Sequence, residues 1–539
     1  MRINPGLCPR GRMHYVFRGA WDGDPIPGVR ISHDKTFAPM DAVNLLSGLG
    51  DPEFCASNQR AFQYTPIFSL NVSSVSLYNY QSEGANWLYH RDYAILADQM
   101  GLGKTVQAIT AAEARLTNSH GEGSGVLILC PALAKLHWAC EVKRWTGHDA
   151  IVLDGLAADE MPNARYIIAN YDILFGQRRR DAAGKLNEVV HLGGWHKQLA
   201  AAKIPIVICD EAHILRGQNS RRTAAVKAVA RDSTVVWLLT GTPMPNHVRD
   251  LWSLWDLCSG GLAGKFWPWA KAYCGAYKGQ YGWVADGCSR LGELNARVRT
   301  FMLGRSKDEV GLQLPEKRRE LITVDVGSVV SVGGILNGKK TTAVAHALRQ
   351  TAYNKRKAIV EMANEALAAG QKVIVFVWLR EQAHEIHDAI DAGAYIRFVA
   401  TGDQSPEQRN VLARNFRECT EPAVFVATID SVGVAISLVG ADLVIFGDLS
   451  WEPAKLLQAE GRAHRHGSVN RVLVRYVIAK GTFDEAVAET VVDKLATIEE
   501  AVGTTADAAQ LAGGLSVGRV TTTEAIIDRL YEKLVGGST

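Results

Sequence analysis

The segment ADQMGLGKT (97–105) sets a lysine and a threonine behind two closely spaced glycines. It follows the apolar run YAILAD (93–98) and leads into VQAITAAEARL (106–116). A strand, a glycine turn and a helix in that order gather backbone N–H groups and the positive end of a helix around a phosphate. Gly101 and Gly103 let the backbone approach without a Cβ in the way. Lys104 can then reach the β- and γ-phosphates of a nucleotide, and Thr105 can ligate Mg²⁺. Asp98 stands where the strict G-x-x-x-x-G-K-[ST] pattern has its first glycine, so the loop alone leaves a chance glycine turn open.

Further along, IVICDEAH (206–213) ends a β-branched run in adjacent carboxylates. One acid, Asp210, suits Mg²⁺; the other, Glu211, suits an attacking water. Acidic strand ends are common. Two carboxylates at the end of one strand, after a phosphate loop on an earlier strand, form the nucleotide site of a parallel sheet. His213 taken alone reads as a structural histidine. Together the two motifs call for ATP and Mg²⁺.

These side chains need two α/β lobes to hold them. In the first, VLILCP (126–131), AIVLD (150–154), YIIAN (166–170), IVICD (206–210) and VVWLLTG (235–241) join YAILAD as strands. In the second, KVIVFVW (372–378), YIRFVA (395–400), AVFVAT (423–428), DLVIFGD (442–448) and VLVRYVI (472–478) repeat the pattern. Runs that are apolar throughout suit strands buried on both faces of a parallel sheet, with helices as crossovers. The expected divisions are an accessory region at 1–75, a first lobe at 76–247 and a helical insertion at 248–326 rich in aromatics. A linker at 327–344, a second lobe at 345–490 and terminal helices at 491–539 complete the chain.

Bulk properties agree without deciding anything. A length of 539 residues requires more than one core, and 47% apolar with 21% charged residues is ordinary for a soluble protein. A net charge of +3 permits nucleic acid but diagnoses nothing. The nine cysteines include no C-x-x-C pair, which argues against a structural zinc site and for a reducing compartment. Without a signal-like apolar start or a membrane-length apolar run, the protein reads as soluble and intracellular.

The motifs resemble the Swi/Snf family of superfamily 2 helicase-like ATPases over roughly residues 77–490. The likeness is carried by LYNYQSEGANWL (77–88), DQMGLGKT (98–105), LILCPALAKLHWACE (127–141), DEAH (210–213) and LTGTPMPN (239–246). It continues in FMLGRSKDEVGLQLPEK (301–317), TGDQSPEQR (401–409), TIDSVGVAISLVGAD (428–442), SWEP (450–453) and QAEGRAHRHG (458–467). T-G-T-P discriminates most, because DEAD-box RNA helicases carry S-A-T there. Gly304, Ala435, Ser437, Glu452 and Ser468 depart from the family pattern; the last four fall in the second lobe, where coupling is built.

The resemblance implies two tandem RecA-like lobes and a division of labour between them. Tyr80 and Gln81 would read adenine, and Gln458 would join the nucleotide site. Lys104, Thr105 and Asp210 would hold Mg-ATP, and Glu211 would polarise the water. Arg462 or Arg465, with Arg465 preferred, would act as the arginine finger. DNA would meet Lys135, Trp138, Thr242 and Asn246 in the first lobe, and Arg409 and Thr428 in the second. The runs Arg178–Arg180 and Lys339–Lys340 either extend that track or are solvated loops. The compact layout is similar to a branch that includes annealing helicases and phage or bacterial members. A bacterial or phage source and a cytoplasmic monomer are therefore expected, or a nuclear one if the source is eukaryotic. The leading expectation is an ATP-driven translocase on double-stranded DNA. Its competitors are a strand-separating DNA or RNA helicase and a catalytically silent scaffold.

Overall fold

The computed structural model describes residues 77–502 apart from 119–124, 156–160, 176–194, 259–262, 280–281, 313–314, 316, 327–339, 392, 433–435, 465–467 and 469, together with four N-terminal strands. Those strands, β1 (Ile3–Leu7), β2 (Met13–Arg18), β3 (Arg30–Ser32) and β4 (Lys35–Ala38), form an antiparallel sheet in the order β1-β2-β4-β3. Beyond it the chain divides into two units, Met1–Arg305 with Glu500–Thr504, and Ser306–Glu499 with Thr505–Thr539.

The first unit holds a seven-stranded parallel sheet. Its strands are β5 (Tyr93–Leu96), β6 (Val126–Cys130), β7 (Ala150–Val152), β8 (Tyr166–Asn170), β9 (Ile206–Cys209), β10 (Val235–Leu239) and β13 (Met302–Leu303). Valine, isoleucine and leucine dominate the inner strands, and β6, β8, β9 and β10 are buried throughout, as crossover helices on both faces require. The order is β13-β5-β10-β9-β6-β8-β7, so β5, β10 and β9 are direct neighbours. In register, Leu239 lies beside Leu96 and Leu238 beside Cys209. The loops that leave these three strands are the phosphate loop, the TGT turn and the DEAH segment. Strand order therefore brings together three motifs that the sequence holds far apart.

The segment after β10 contains α6 (Asp250–Cys258), α7 (Phe266–Tyr273) and α8 (Leu291–Val298). It also contains a two-stranded hairpin, β11 (Tyr277–Gly279) with β12 (Gly282–Val284). Trp255 anchors it, edge-on to Trp269 at 5.9 Å and under the Arg297 guanidinium at 4.6 Å.

The second unit carries a six-stranded parallel sheet. It runs β14 (Lys317–Val324), β19 (Val472–Ala479), β18 (Leu443–Phe446), β15 (Val373–Val377), β17 (Ala423–Thr428) and β16 (Ile396–Ala400). Here the expected boundary moves. Residues 317–324, read as the end of the insertion, pair along their whole length with β19. The expected linker is also shortened, because the long helix α9 (Lys340–Ala368) starts inside it.

Lys355 on α9 is fully buried, with its ammonium 2.7 Å from Asp484 and 3.2 Å from Asp448 and bonded to the Gly447 carbonyl. Burial alone would lower its pKa, but the two carboxylates outweigh that and raise it. The pair therefore locks α9 to the ends of β18 and β19. Lys355→Met leaves two buried acids without their cation. Its expected cost to the second lobe is about 3–5 kcal/mol, measured by urea unfolding against the parent chain.

Candidate active site

The phosphate loop turns between β5 and α2 (Lys104–Asn118), with Gly101 and Gly103 at φ +90° and +74°. At Gly103 the geometry leaves no choice of residue. A Cβ there would lie 2.6 Å from Gln81 Nε2, and the positive φ disfavours any side chain. Gln81 is buried on α1 (Asn79–Tyr89), and its Nε2 donates to the Leu102 carbonyl at 3.4 Å. Its Oε1 accepts from the Tyr78 N–H at 3.1 Å. Gln81 thus braces the phosphate loop directly. Tyr80 is buried one residue before it, its ring stacked on Tyr78 with centroids 5.7 Å apart. Lys104 Nζ donates to the Asp98 carbonyl at 2.7 Å. The TGT turn presses on the same loop: a Cβ on Gly241 would meet Met100 at 2.8 Å and Lys104 Nζ at 3.5 Å.

The two DEAH acids differ in their surroundings. Asp210 accepts from Trp138 Nε1 at 2.8 Å and from the Glu211 N–H at 2.9 Å. Burial, then the Glu211 charge, pushes Asp210 up to about 6, against the pull of the Trp138 N–H and Lys104. Beneath it, burial pushes the Cys209 thiol up to about 12, so this cysteine serves as a small neutral hydrophobe. Glu211 takes the left-handed conformation at φ 47°, a strained choice for a residue with a Cβ. Its Oε2 is buried without a hydrogen bond among the described residues and lies 3.3 Å from His213 Nδ1. His213 Nδ1 is also 3.1 Å from Thr240 Oγ1, and Thr240 Oγ1 accepts the Thr242 N–H at 3.1 Å. His213 therefore ties the acids to the TGT turn. A carboxylate with an open acceptor, a second one raised by burial, and a lysine whose charge acts on that second one fit a magnesium nucleotide.

In the second unit, α12 (Pro453–Ala463) carries Gln458 and Arg462, both half-buried. Its anchor is Glu460, which is 1% exposed. Lys317 and Arg319 of β14 reach that carboxylate at 3.0 and 2.6 Å, and the Tyr476 hydroxyl donates to it. The helix end is held too: Lys307 Nζ donates to the His464 carbonyl at 2.7 Å, and His464 Nε2 lies 2.7 Å from the Pro315 carbonyl. Arg465 lies outside the described residues, as do Ala435, Arg178–Arg180 and Lys339. Arg409 Nη1 donates to the Ser431 carbonyl at 2.6 Å, and Ser431 Oγ donates to the Thr428 carbonyl at 2.7 Å, so these two expected contacts share one turn.

Residues 80–330 match the SNF2-related domain and residues 354–467 the helicase conserved C-terminal domain. The chain belongs to the SNF2-related helicase-like ATPases. It is 28% identical over 454 residues to the SWI/SNF-related matrix-associated actin-dependent regulator of chromatin subfamily A-like protein 1 of Xenopus tropicalis, covering 79% of this chain and 45% of that protein. It is 26% identical to the human DNA annealing helicase and endonuclease ZRANB3, covering 75% and 38%. The chain thus spans less than half the length of these two relatives. The Sulfolobus solfataricus SWI2/SNF2 ATPase core in complex with dsDNA aligns with a TM-score of 0.40 and 21% identity, over 83% of this chain and 98% of that one. No described helix is long and apolar enough to cross a membrane.

Within this SNF2-related chain, three expected DNA contacts are buried. Trp138 has no exposed surface and spends its indole N–H on Asp210, so it positions the acid and cannot reach a strand of DNA. Lys135 is 9% exposed, with Nζ bonded to the Leu153 carbonyl and paired with Asp154. Thr428 is likewise buried, at 5%, whereas Thr242 and Asn246 keep partial exposure on the TGT turn.

Arg305 is the residue that the motif reading passed over. It forks onto Asp98 through Nε at 3.0 Å and Nη2 at 2.6 Å, and its Nη1 donates to the Tyr80 carbonyl at 2.7 Å. Gln107 joins from α2, its amide donating to Asp98 at 3.1 Å. The space is so tight that a Cβ on Gly84 would lie 1.7 Å from Gln107 Oε1. The signal was present in GRSKDEV (304–310), whose arginine and lysine fall on the R-R-x-K pattern despite Gly304.

Arg305→Lys keeps the charge and loses the fork. It is expected to weaken ATP binding about tenfold, near 1.4 kcal/mol, with the fold intact by circular dichroism. A second prediction concerns Glu460, where burial alone would raise the carboxyl but Lys317 and Arg319 outweigh it and hold it well below the usual range. A depressed carboxyl contributes its full stability above the ordinary value of 4.5 and loses it as pH falls below that. Glu460→Gln should cost about 3–5 kcal/mol at neutral pH and flatten the acid limb of the stability curve, read by denaturant unfolding across pH.

Proposed function

We propose that this chain hydrolyses ATP in response to DNA and uses the cycle to travel along duplex DNA. The observation that carries this reading is the adjacency of β5, β10 and β9, which sets Lys104, the TGT turn and the strained Glu211 around one edge of a sheet. The DNA assignment draws on the relatives, among them one named a DNA annealing helicase.

In this reading Lys104 binds the outer phosphates, and Thr105 with Asp210 would hold Mg²⁺, which draws charge from the phosphate oxygens. Tyr80 and Gln81 take the adenine end. The open Oε2 of Glu211 orients the attacking water and takes up its proton. His213, bonded to Thr240, holds Glu211 in register with the TGT turn, so a shift of that turn alters the position of the base. The positive charge needed as the γ-phosphate departs comes from Arg462 or Arg465, an effect of about 10³–10⁵ in rate. Thr242, Asn246 and Arg409 contact the DNA backbone, because a motor must advance over any sequence.

Turnover measured with duplex DNA, single strands, forks and RNA tests the assignment. Duplex DNA is expected to stimulate strongly and RNA weakly, and Lys104→Ala or Glu211→Gln should each lower stimulated turnover about 10²–10⁴-fold. Equal stimulation by RNA would overturn the DNA reading. Unwinding of a forked duplex would replace translocation with strand separation.

A further inference from the structure

The insertion turns two tryptophans toward solvent while burying their neighbours. Trp267 on α7 is 39% exposed and Trp283 on β12 is 44% exposed, whereas Trp269 on the same helix is fully buried. The two exposed indoles meet, with ring centroids 5.3 Å apart and planes inclined at 37°. Phe266 backs Trp267 at 5.0 Å and itself packs edge-on against Trp252 at 5.4 Å. One ring is therefore fixed by a helix and the other by the hairpin, and together they make a small rigid apolar slab. Such a surface in contact with water lowers stability and calls for an occupant.

The charges around the slab say what kind. Lys271 Nζ lies 4.9 Å from the Trp283 ring centre. Lys278 is the cross-strand partner of Trp283, which puts the two side chains on one face of the hairpin. Both lysines are exposed. Between residues 263 and 290 the sole acid is Asp286, which is already paired with Arg249, while Arg290 is paired with Glu293 and Lys271 and Lys278 stay exposed. Lys271 and Lys278 therefore put positive charge beside the two rings. A protein partner would have to bring its own acids to an aromatic surface. A polyanion whose units each present a flat π-face satisfies both features at once.

We propose that Trp267 and Trp283 form a stacking site for unpaired bases of single-stranded DNA, with Lys271 and Lys278 taking the flanking phosphates. Duplex DNA hides its base faces and could use only the lysines, so the tryptophans confer the preference for a single strand. The site is separate from the nucleotide-binding edge of the first sheet, and it goes beyond the duplex reading above. Binding measured without ATP keeps the two apart: a chain that fails to hydrolyse ATP would sink that reading and leave this one open to measurement.

The test uses the full chain, a fluorescently labelled polythymidylate strand and a blunt duplex, with anisotropy read in the absence of nucleotide. Trp267→Ala and Trp283→Ala are each expected to weaken single-strand binding about 5- to 100-fold and to leave duplex affinity unchanged. Trp283→Phe, which keeps a stacking ring, should retain most of the affinity. Lys271→Gln should lower the salt dependence of single-strand binding by about one unit of slope. Single-strand affinity that survives both alanine variants would overturn the proposal and leave the slab to a protein partner. An equal loss toward duplex and single strand would also overturn it, because a general defect in the fold would account for that.

Discussion

A carboxylate with no exposed surface, set at the base of a glycine-rich loop, is an electrostatic liability. Asp98 is that carboxylate, and the Arg305 guanidinium answers it from 207 residues further along the chain with two parallel hydrogen bonds. Charge-assisted, bidentate pairs of this kind are both stronger and more directional than a lysine contact. Because Nη1 also holds the Tyr80 carbonyl, one side chain fixes the floor of the phosphate loop and the helix that carries Tyr80 and Gln81. Breaking a buried pair from one side costs about 3–5 kcal/mol, so the loop, the helix and the strand β13 that delivers Arg305 are positioned as one body.

The second lobe solves the same problem with the same materials. Glu460 and the Asp448–Asp484 pair are buried acids, and each receives its cations from a distant stretch: Lys317 and Arg319 from β14, Lys355 from α9. Burial alone would neutralise such acids, but two cations at hydrogen-bond distance keep Glu460 charged. The helix that presents Arg462 is thus held by ionic contacts at Glu460 and by Lys307 at its end, with apolar packing filling the remainder. Arg305, Lys307 and Lys317 all come from one short segment, so a single connection supplies the ionic anchors of the phosphate loop and of α12.

This division also explains what the sequence could and could not disclose. Eleven strands were readable as apolar runs; nine of them are inner strands, and β7 and β16, at the sheet edges, carry the same pattern with partial exposure. β14 was not: Lys317 and Arg319 break the apolar run, and they face inward only because Glu460 lies in wait on another helix. β13 is two residues long and gives no periodic signal. The phosphate loop and the DEAH acids could be read as chemistry from residue type and spacing alone. Trp138 could not, since nothing in its spacing reveals that its indole N–H reaches Asp210 across 72 residues. Lys135 misleads for the same reason: a lysine near a motif reads as a surface cation, while its ammonium is in fact satisfied inside the lobe.

What remains is why three loops so far apart in sequence should respond to one ligand. In a parallel sheet every strand leaves at the same edge, so neighbours in strand order become neighbours at the site whatever their order in the chain. With β10 between β5 and β9, the TGT turn is wedged against the phosphate loop on one side, at Met100 and Lys104, and against His213 on the other. A change at either flank must pass through Thr240 or be absorbed by it. Glu211 closes the group in a strained backbone conformation, with one oxygen lacking a hydrogen bond among the described residues. The arrangement makes the position of the Glu211 carboxylate depend on the TGT turn, through His213 and Thr240.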